Sequence, residues 1–320
     1  MQIGKLQESI LDRSVFKQLH RNNKDILCKL KAGNGYQLLH MRGRDCLATT
    51  TNVVEGSPAV VGELAVPRAL NSLICSGAEP VGIMLALVLP QDVAEGDFRQ
   101  MIHRIDALCA ENGVEIMGGH TQISAAVTKV IATVTAYGVG GAAEHRPRPG
   151  QDIVMTKWAG LSGTWLLEKE YHDAFVNKYN PDMADIIGRM NGYFSVLKEA
   201  RLALDYGART LYDLSEGGVF GGLWEVAAAG NVGLQVDLKK IPLKQETVEL
   251  CDFVDVNPYQ LISMGSLLIA ADHGDQLVRR LGEQGIAAAV IGSFTDSNDR
   301  IIVNDDEVRY LEPPRAQKIV

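Results

Sequence analysis

The chain has 320 residues, 46% of them hydrophobic and 22% charged, with a formal net charge of −8. At roughly 100–200 residues per domain this composition describes a two-domain globular protein with ample core in each half. The acidic balance excludes a broad nucleic-acid surface, which needs clustered Lys and Arg.

In chain order, Gly4–Leu19 carries Leu6, Ile10, Leu11, Val15 and Leu19 at helical spacing, followed by the basic connection Arg21–Lys31. Tyr36–His40 and Cys46–Thr50 read as a hairpin turning on Arg42-Gly43-Arg44. Val60–Ser76 is predicted as a helix, Val81–Leu89 as a buried strand, and Asp92–Asn112 as a helix with acids in its first turn, as the helix dipole favours. Val114–Met117 and Val127–Val139 are predicted to complete a sheet, with a glycine loop at Gly118–Gln122 between them. The run Gly138–Pro149, rich in glycine, proline and charge, marks the domain boundary, giving domains 1–145 and 146–320.

The second half restarts with strand Asp152–Thr156 and helix Gly160–Glu170. Pro181–Tyr206 reads as one or two helices and Thr210–Leu211 as a strand entering a second glycine loop. Leu234–Leu238, Leu267–Ala271, Ala287–Phe294 and Arg300–Val303 are predicted strands, with helices at Phe220–Ala229, Glu246–Phe253 and Gly274–Gln284. No apolar run approaches the ~20 residues needed to span a bilayer, and Met1–Lys5 lacks a signal-peptide core, so a cytoplasmic location with no membrane partner is expected. The five cysteines show no Cys-x-x-Cys spacing and read as buried thiols rather than a zinc site.

Two stretches carry chemistry. Asp213-Leu-Ser-Glu-Gly-Gly-Val219 places an acid, a hydroxyl and two glycines at a helix start, where free N–H groups attract anions. The same residues also suit a plain glycine turn before a capped helix. Gly118-Gly119-His120-Thr121-Gln122 repeats the plan in the first half. Together with Gly77-Ala-Glu-Pro80 and Thr156-Lys-Trp-Ala-Gly-Leu-Ser-Gly-Thr164, these stretches resemble the aminoimidazole-ribonucleotide synthetase superfamily. That group includes a carbamoyl-dehydrating hydrogenase-maturation protein, thiamine-monophosphate kinase and selenophosphate synthetase, and the resemblance is strongest to the hydrogenase-maturation branch. It implies an α+β fold with an N-terminal mixed-sheet domain that pairs strands in a homodimer and a C-terminal doubled ferredoxin-like α/β domain. It also implies ATP-dependent phosphoryl transfer that turns a poor leaving group into a good one, with Mg²⁺ offsetting the phosphate charge.

The resemblance assigns Gly118, Gly119, His120, Thr121, Lys157, Asp213, Gly217, Gly218 and Asn257 to a nucleotide or phosphate site, where glycine N–H groups and a lysine ammonium converge on one anion. For His120 and Lys157 a structural role is an equal alternative, and Asn257-Pro258 also fits a plain turn. On that reading Gly218→Val weakens ligand binding without unfolding, provided Gly218 does not need a positive φ. The family's metal-binding carboxylates are missing: Gly35, Thr51 and Ser72 stand at those positions, leaving Asp45, Glu55 and Glu63 as nearby acids. ATP is therefore an expected ligand and Mg²⁺ a doubtful one. The tail Glu312–Val320 has no cysteine to carry a carbamoyl group, against the related maturation enzyme. Two readings follow, an ATP-dependent activator with an altered metal site and a non-catalytic paralogue that holds a ligand or a maturation partner.

Overall fold

The computed structural model describes residues 37–40, 46–141, 146–179 and 181–314. These fall into two compact units, the first up to residue 141 and the second from residue 146. The expected helix Gly4–Leu19, the turn Met41–Asp45, Gly35 and the end of the tail beyond Pro314 lie outside the described residues.

The first unit is a five-stranded mixed sheet under two helices. Its elements are β1 (Gln37–His40), β2 (Cys46–Gly56), α1 (Pro58–Ile74), β3 (Ala78–Leu89), α2 (Glu95–Glu111), β4 (Glu115–Ile123) and β5 (Val130–Gly140), with strand order β1-β2-β5-β3-β4. Alternation places Ala48 and Val54 of β2, Ala132, Val134 and Ala136 of β5, and Ile83, Leu85 and Leu87 of β3 in the interior. These buried rows meet Val61, Leu64, Leu70 and Leu73 of α1. The opposite face carries the rows Thr51–Thr135–Met84 and Val53–Thr133–Ala86, and Val53 there is 57% exposed.

Helix α1 begins two residues before the apolar periodicity suggests. Ser57 caps it, its Oγ accepting from the Val60 N–H at 3.4 Å, and Pro58 takes the first helical position, where a missing N–H costs nothing. β2 runs six residues past the expected Thr50, because Thr51–Gly56 continues the β-branched pattern and pairs antiparallel with Val130–Thr135 of β5.

The predicted loop Gly118–Gln122 is not a loop. It lies inside β4, which pairs parallel with β3 through Gly118 to Met84 and Gly119 to Leu85 after a register shift between Ile83 and Met84. A Cβ on Gly119 would stand 1.8 Å from the Leu85 carbonyl oxygen. Glycine is required there by the close passage of two strands, which a reading of Gly-Gly as turn punctuation does not anticipate.

The second unit contains β6 (Asp152–Thr156), α3 (Leu161–Lys178), α4 (Pro181–Gly188), α5 (Leu197–Tyr206), β7 (Thr210–Asp213), α6 (Gly218–Gly230), β8 (Gly233–Asp237), α7 (Gln245–Val254), β9 (Leu267–Ala271), α8 (Gly274–Glu283), β10 (Ala288–Thr295), β11 (Arg300–Asn304) and β12 (Glu307–Tyr310). Its seven-stranded sheet has the order β12-β11-β8-β10-β6-β9-β7. Only β8 with β11 is a parallel pair; the remaining neighbours are antiparallel. The core joins Ile153 and Met155 of β6, Val219 and Leu223 of α6, Leu234 and Val236 of β8, and Ile291 and Phe294 of β10, all buried.

The segment Pro181–Tyr206 resolves into α4, a 3-10 turn Arg189–Tyr193 and α5. Helix α3 extends past the expected Glu170 across a kink at Tyr171, whose φ of −107° and ψ of 15° interrupt the helix. β12 was not anticipated. It is four exposed residues returning from a turn in which Asp305 takes a φ of +52°, too short to show a burial pattern.

Candidate functional site

β6 and β7 both pair antiparallel with β9, Met155 with Leu268 and Asp213 with Leu267, so they run the same way and end at the same edge of the sheet. A glycine turn leaves each end. Gly160, φ +70°, leads into α3, while Gly217 and Gly218, φ +84° and +61°, lead into α6. The left-handed backbone at these positions is the conformation only glycine adopts without strain.

Residues 257–266 run between the two turns and take up their donors. The Gly163 N–H donates to the Ile262 carbonyl at 2.8 Å, and the Gly160 N–H to Ser263 Oγ at 2.8 Å. On the other side the Phe220 N–H donates to the Tyr259 carbonyl at 3.1 Å, while the Gly218 N–H bonds within its own turn, to the Ser215 carbonyl at 3.1 Å. The glycines give this segment room. A Cβ on Gly163 would stand 2.4 Å from Leu261 Cγ, and one on Gly218 would stand 2.6 Å from the Gln260 carbonyl carbon and the Leu261 carbonyl oxygen. These two turns hold part of the protein's own backbone. Gly218 takes a φ of +61° and leaves no room for a Cβ, so Gly218→Val tests stability as well as any ligand binding.

Lys157 follows β6 with a φ of +53° and is 6% exposed. Its ammonium donates to the carbonyls of Tyr193 at 2.8 Å and Ser195 at 2.7 Å and pairs with Glu199 Oε1 at 2.5 Å. Burial pulls its pKa down, while Glu199 first and then Asp213 hold it up. Three donors are spent on three partners, so the ammonium ties the Tyr193–Ser195 turn and the first turn of α5 to the end of β6. Asp213, at the end of β7, is 8% exposed and contributes to that interior charge balance.

The predicted residues Lys157, Asp213, Gly217, Gly218 and Asn257 are thus gathered in the second unit, at and beside one sheet edge. Gly118, Gly119, His120 and Thr121 lie in β4 of the first unit. His120 and Thr121 are exposed, and His120 Nε2 lies 3.4 Å from Gln122 Oε1. Asn257 closes a local turn, its Oδ1 accepting from the Tyr259 N–H at 3.0 Å.

At the positions where the resemblance expects metal-binding carboxylates, Thr51 Oγ1 lies 2.9 Å from Thr135 Oγ1 on the open sheet face, and Ser72 Oγ donates back to the Arg68 carbonyl at 3.4 Å. Glu63 is committed elsewhere: Arg104 Nε meets its Oε1 at 2.9 Å and Arg104 Nη2 its Oε2 at 3.0 Å. Glu55 is exposed, and Asp45 lies outside the described residues. Of these described residues, Thr51 and Ser72 offer neutral hydroxyls and Glu63 has both oxygens held by Arg104, whereas a magnesium ion prefers anionic oxygens free to coordinate.

One feature went unanticipated. A cavity of about 580 Å³ opens beside the first turn of α6, where Gly217 and Gly221 face Pro314 and Asn257 forms part of the wall. The turn chemistry at Asn257 and the glycines was visible in the amino-acid order, but the cavity's far wall comes from β11, β12 and the segment after them, distant in sequence.

Family models match both units: AIR synthase related protein, N-terminal domain, over residues 36–140, and AIR synthase related protein, C-terminal domain, over residues 148–304. The chain belongs to the AIR synthase related family. Among curated relatives, the carbamoyl dehydratase HypE of Azotobacter vinelandii is 26% identical over 275 residues, covering 81% of this chain and 78% of that protein. Among solved structures, the HypE–HypF complex superposes with a TM-score of 0.75 at 19% identity, covering 95% of this chain and 99% of that one. The hydrogenase maturation protein HypE in complex with ATP superposes with a TM-score of 0.73 at 20% identity, covering 97% and 96%. At these identities the structures establish the shared fold.

Two outcomes follow from the turns. Lys157→Met leaves Glu199 buried without its cation and should cost about 3–5 kcal/mol in urea unfolding; Glu199→Gln in the same chain should restore part of the loss. An unchanged midpoint in the single variant would show that the pair holds nothing in place. Gly218→Val adds backbone strain and overlap and should lower stability by at least about 2 kcal/mol, read as a fall in thermal midpoint without any ligand present.

Proposed function

We propose that this chain is a nucleotide- or phosphate-ligand-binding member of the AIR synthase related family that turns over ATP with Mg²⁺ weakly or not at all. The commitment of both Glu63 oxygens to Arg104, beside hydroxyls at Thr51 and Ser72, carries this reading. A hard cation binds anionic oxygens, and neutral hydroxyls offset none of the charge on a triphosphate. Support for nucleotide binding itself comes from kinship with a carbamoyl dehydratase and from the fold shared with a protein solved with ATP. In this reading the chain acts as a non-catalytic relative, holding a ligand or a maturation partner while another protein performs the chemistry. The HypE–HypF complex lends that partner role a precedent.

Calorimetric titration with ATP, with and without Mg²⁺, separates the two readings. Binding that is indifferent to the metal, with no phosphate release, is the expected result. Robust turnover abolished by chelation would overturn the proposal and show that other acids rebuild the metal site. Gly35→Asp, Thr51→Asp and Ser72→Asp together should introduce metal dependence where the parent has little.

We also propose a homodimer formed through the first unit. Val53, Met84 and Val139 stand exposed on the sheet face opposite α1, at 57%, 39% and 48%, an apolar stretch of the kind that interfaces cover. Sedimentation velocity at micromolar concentration should give the mass of two chains. A strictly monomeric species would remove the dimer.

A further inference from the structure

The cavity beside α6 has the wrong charge for a phosphate and the right walls for a flat ring. Its apolar side is formed by Phe220 and Tyr259, stacked with ring centroids 5.3 Å apart and planes 13° from parallel, together with Leu238, Ile302 and Leu311. Its polar side presents the amides of Asn257 and Asn304. Asn257 spends its oxygen on the Tyr259 N–H, so its amide nitrogen is the group left to donate to a ligand.

Charge on the walls is balanced. The charged wall residues are one cation, Arg309, and one acid, Glu312, and Arg309 also pairs with Glu307 at 2.7 Å. At the helix N-terminus beside the cavity, the Gly218 and Phe220 N–H groups already donate to the carbonyls of Ser215 and Tyr259. Among the described wall residues the single cation, Arg309, is already paired, so no surplus positive charge is offered to an anion. Side-chain amides, in contrast, match the mixed donor and acceptor edges of heterocycles, and aromatic rings stack on their faces. A space of 580 Å³ is in the range of small-molecule sites.

We infer that this cavity binds an uncharged planar heterocycle of the nucleobase or nucleoside class, separately from any triphosphate the protein holds. The inference concerns a different ligand from the one in the proposed function and stands whether or not ATP binds.

Adenosine, guanosine, cytidine and uridine, each titrated calorimetrically into the full chain, test it. At least one nucleoside should bind, and Tyr259→Ala, which removes the stacking ring, should weaken it about tenfold or more. Asn304→Leu, at a partly exposed position, should weaken the same nucleoside with the protein still folded by circular dichroism, and so keeps the test decisive if the tyrosine variant misfolds. ATP affinity should be unchanged in both variants. Absence of binding by all four nucleosides, or binding equal to the parent in folded variants, would overturn the inference. A parallel loss of ATP affinity would also overturn it, because the cavity would then be the base pocket of a nucleotide site.

Discussion

The second unit depends on one close passage, residues 257–266 running between the starts of two helices. The N-terminal N–H groups of a buried helix need partners, and here the carbonyls of Tyr259 and Ile262 supply them. That exchange works only if the segment comes within contact distance of the helix backbones, which is why Gly163 and Gly218 carry no Cβ. The sheet edge, the two turns and the wall of the neighbouring cavity are arranged around this passage. A glycine pair before a helix is usually read as a cradle for an anion, yet an adjacent peptide carbonyl meets the same N–H groups with the same partial charge.

A second constraint acts on the same edge through Lys157. A buried ammonium with three fixed oxygen partners is strained at its own backbone and desolvated at its tip, and it holds only because Glu199 and Asp213 supply opposite charge. The gain is in geometry. One side chain fixes where α5 begins relative to β6, across the 3-10 turn that carries Tyr193.

The long strands and helices were legible because burial on one face leaves a period in the amino-acid order, as in β3 and α2. The motifs that resemble the AIR synthase superfamily were legible as well, since paired glycines beside hydroxyls and acids survive as letters. What the glycines do was not legible. At Gly119 the reason is the carbonyl of Leu85 in the next strand, and at Gly218 it is the backbone of Gln260 and Leu261, both far away in the chain. The partner of Glu63 was hidden in the same way, Arg104 lying on a different helix. The missing carboxylates at Thr51 and Ser72 were visible at once; the commitment of the nearest acid elsewhere needed the fold.

The strand order of the two sheets also sets a timetable for synthesis. Every described strand of the first sheet is drawn from residues 37–140, so that sheet is made before β6. In the second sheet β6 is made first but pairs with β9 and β10, near the end of the chain, and β8 waits for β10 and β11. A ribosome therefore releases the strands of one sheet together and then a long stretch of strands whose partners emerge only in the last part of the chain. Truncation late in the message would spare the strand pairs of the first sheet and leave β6 and β8 without their partners.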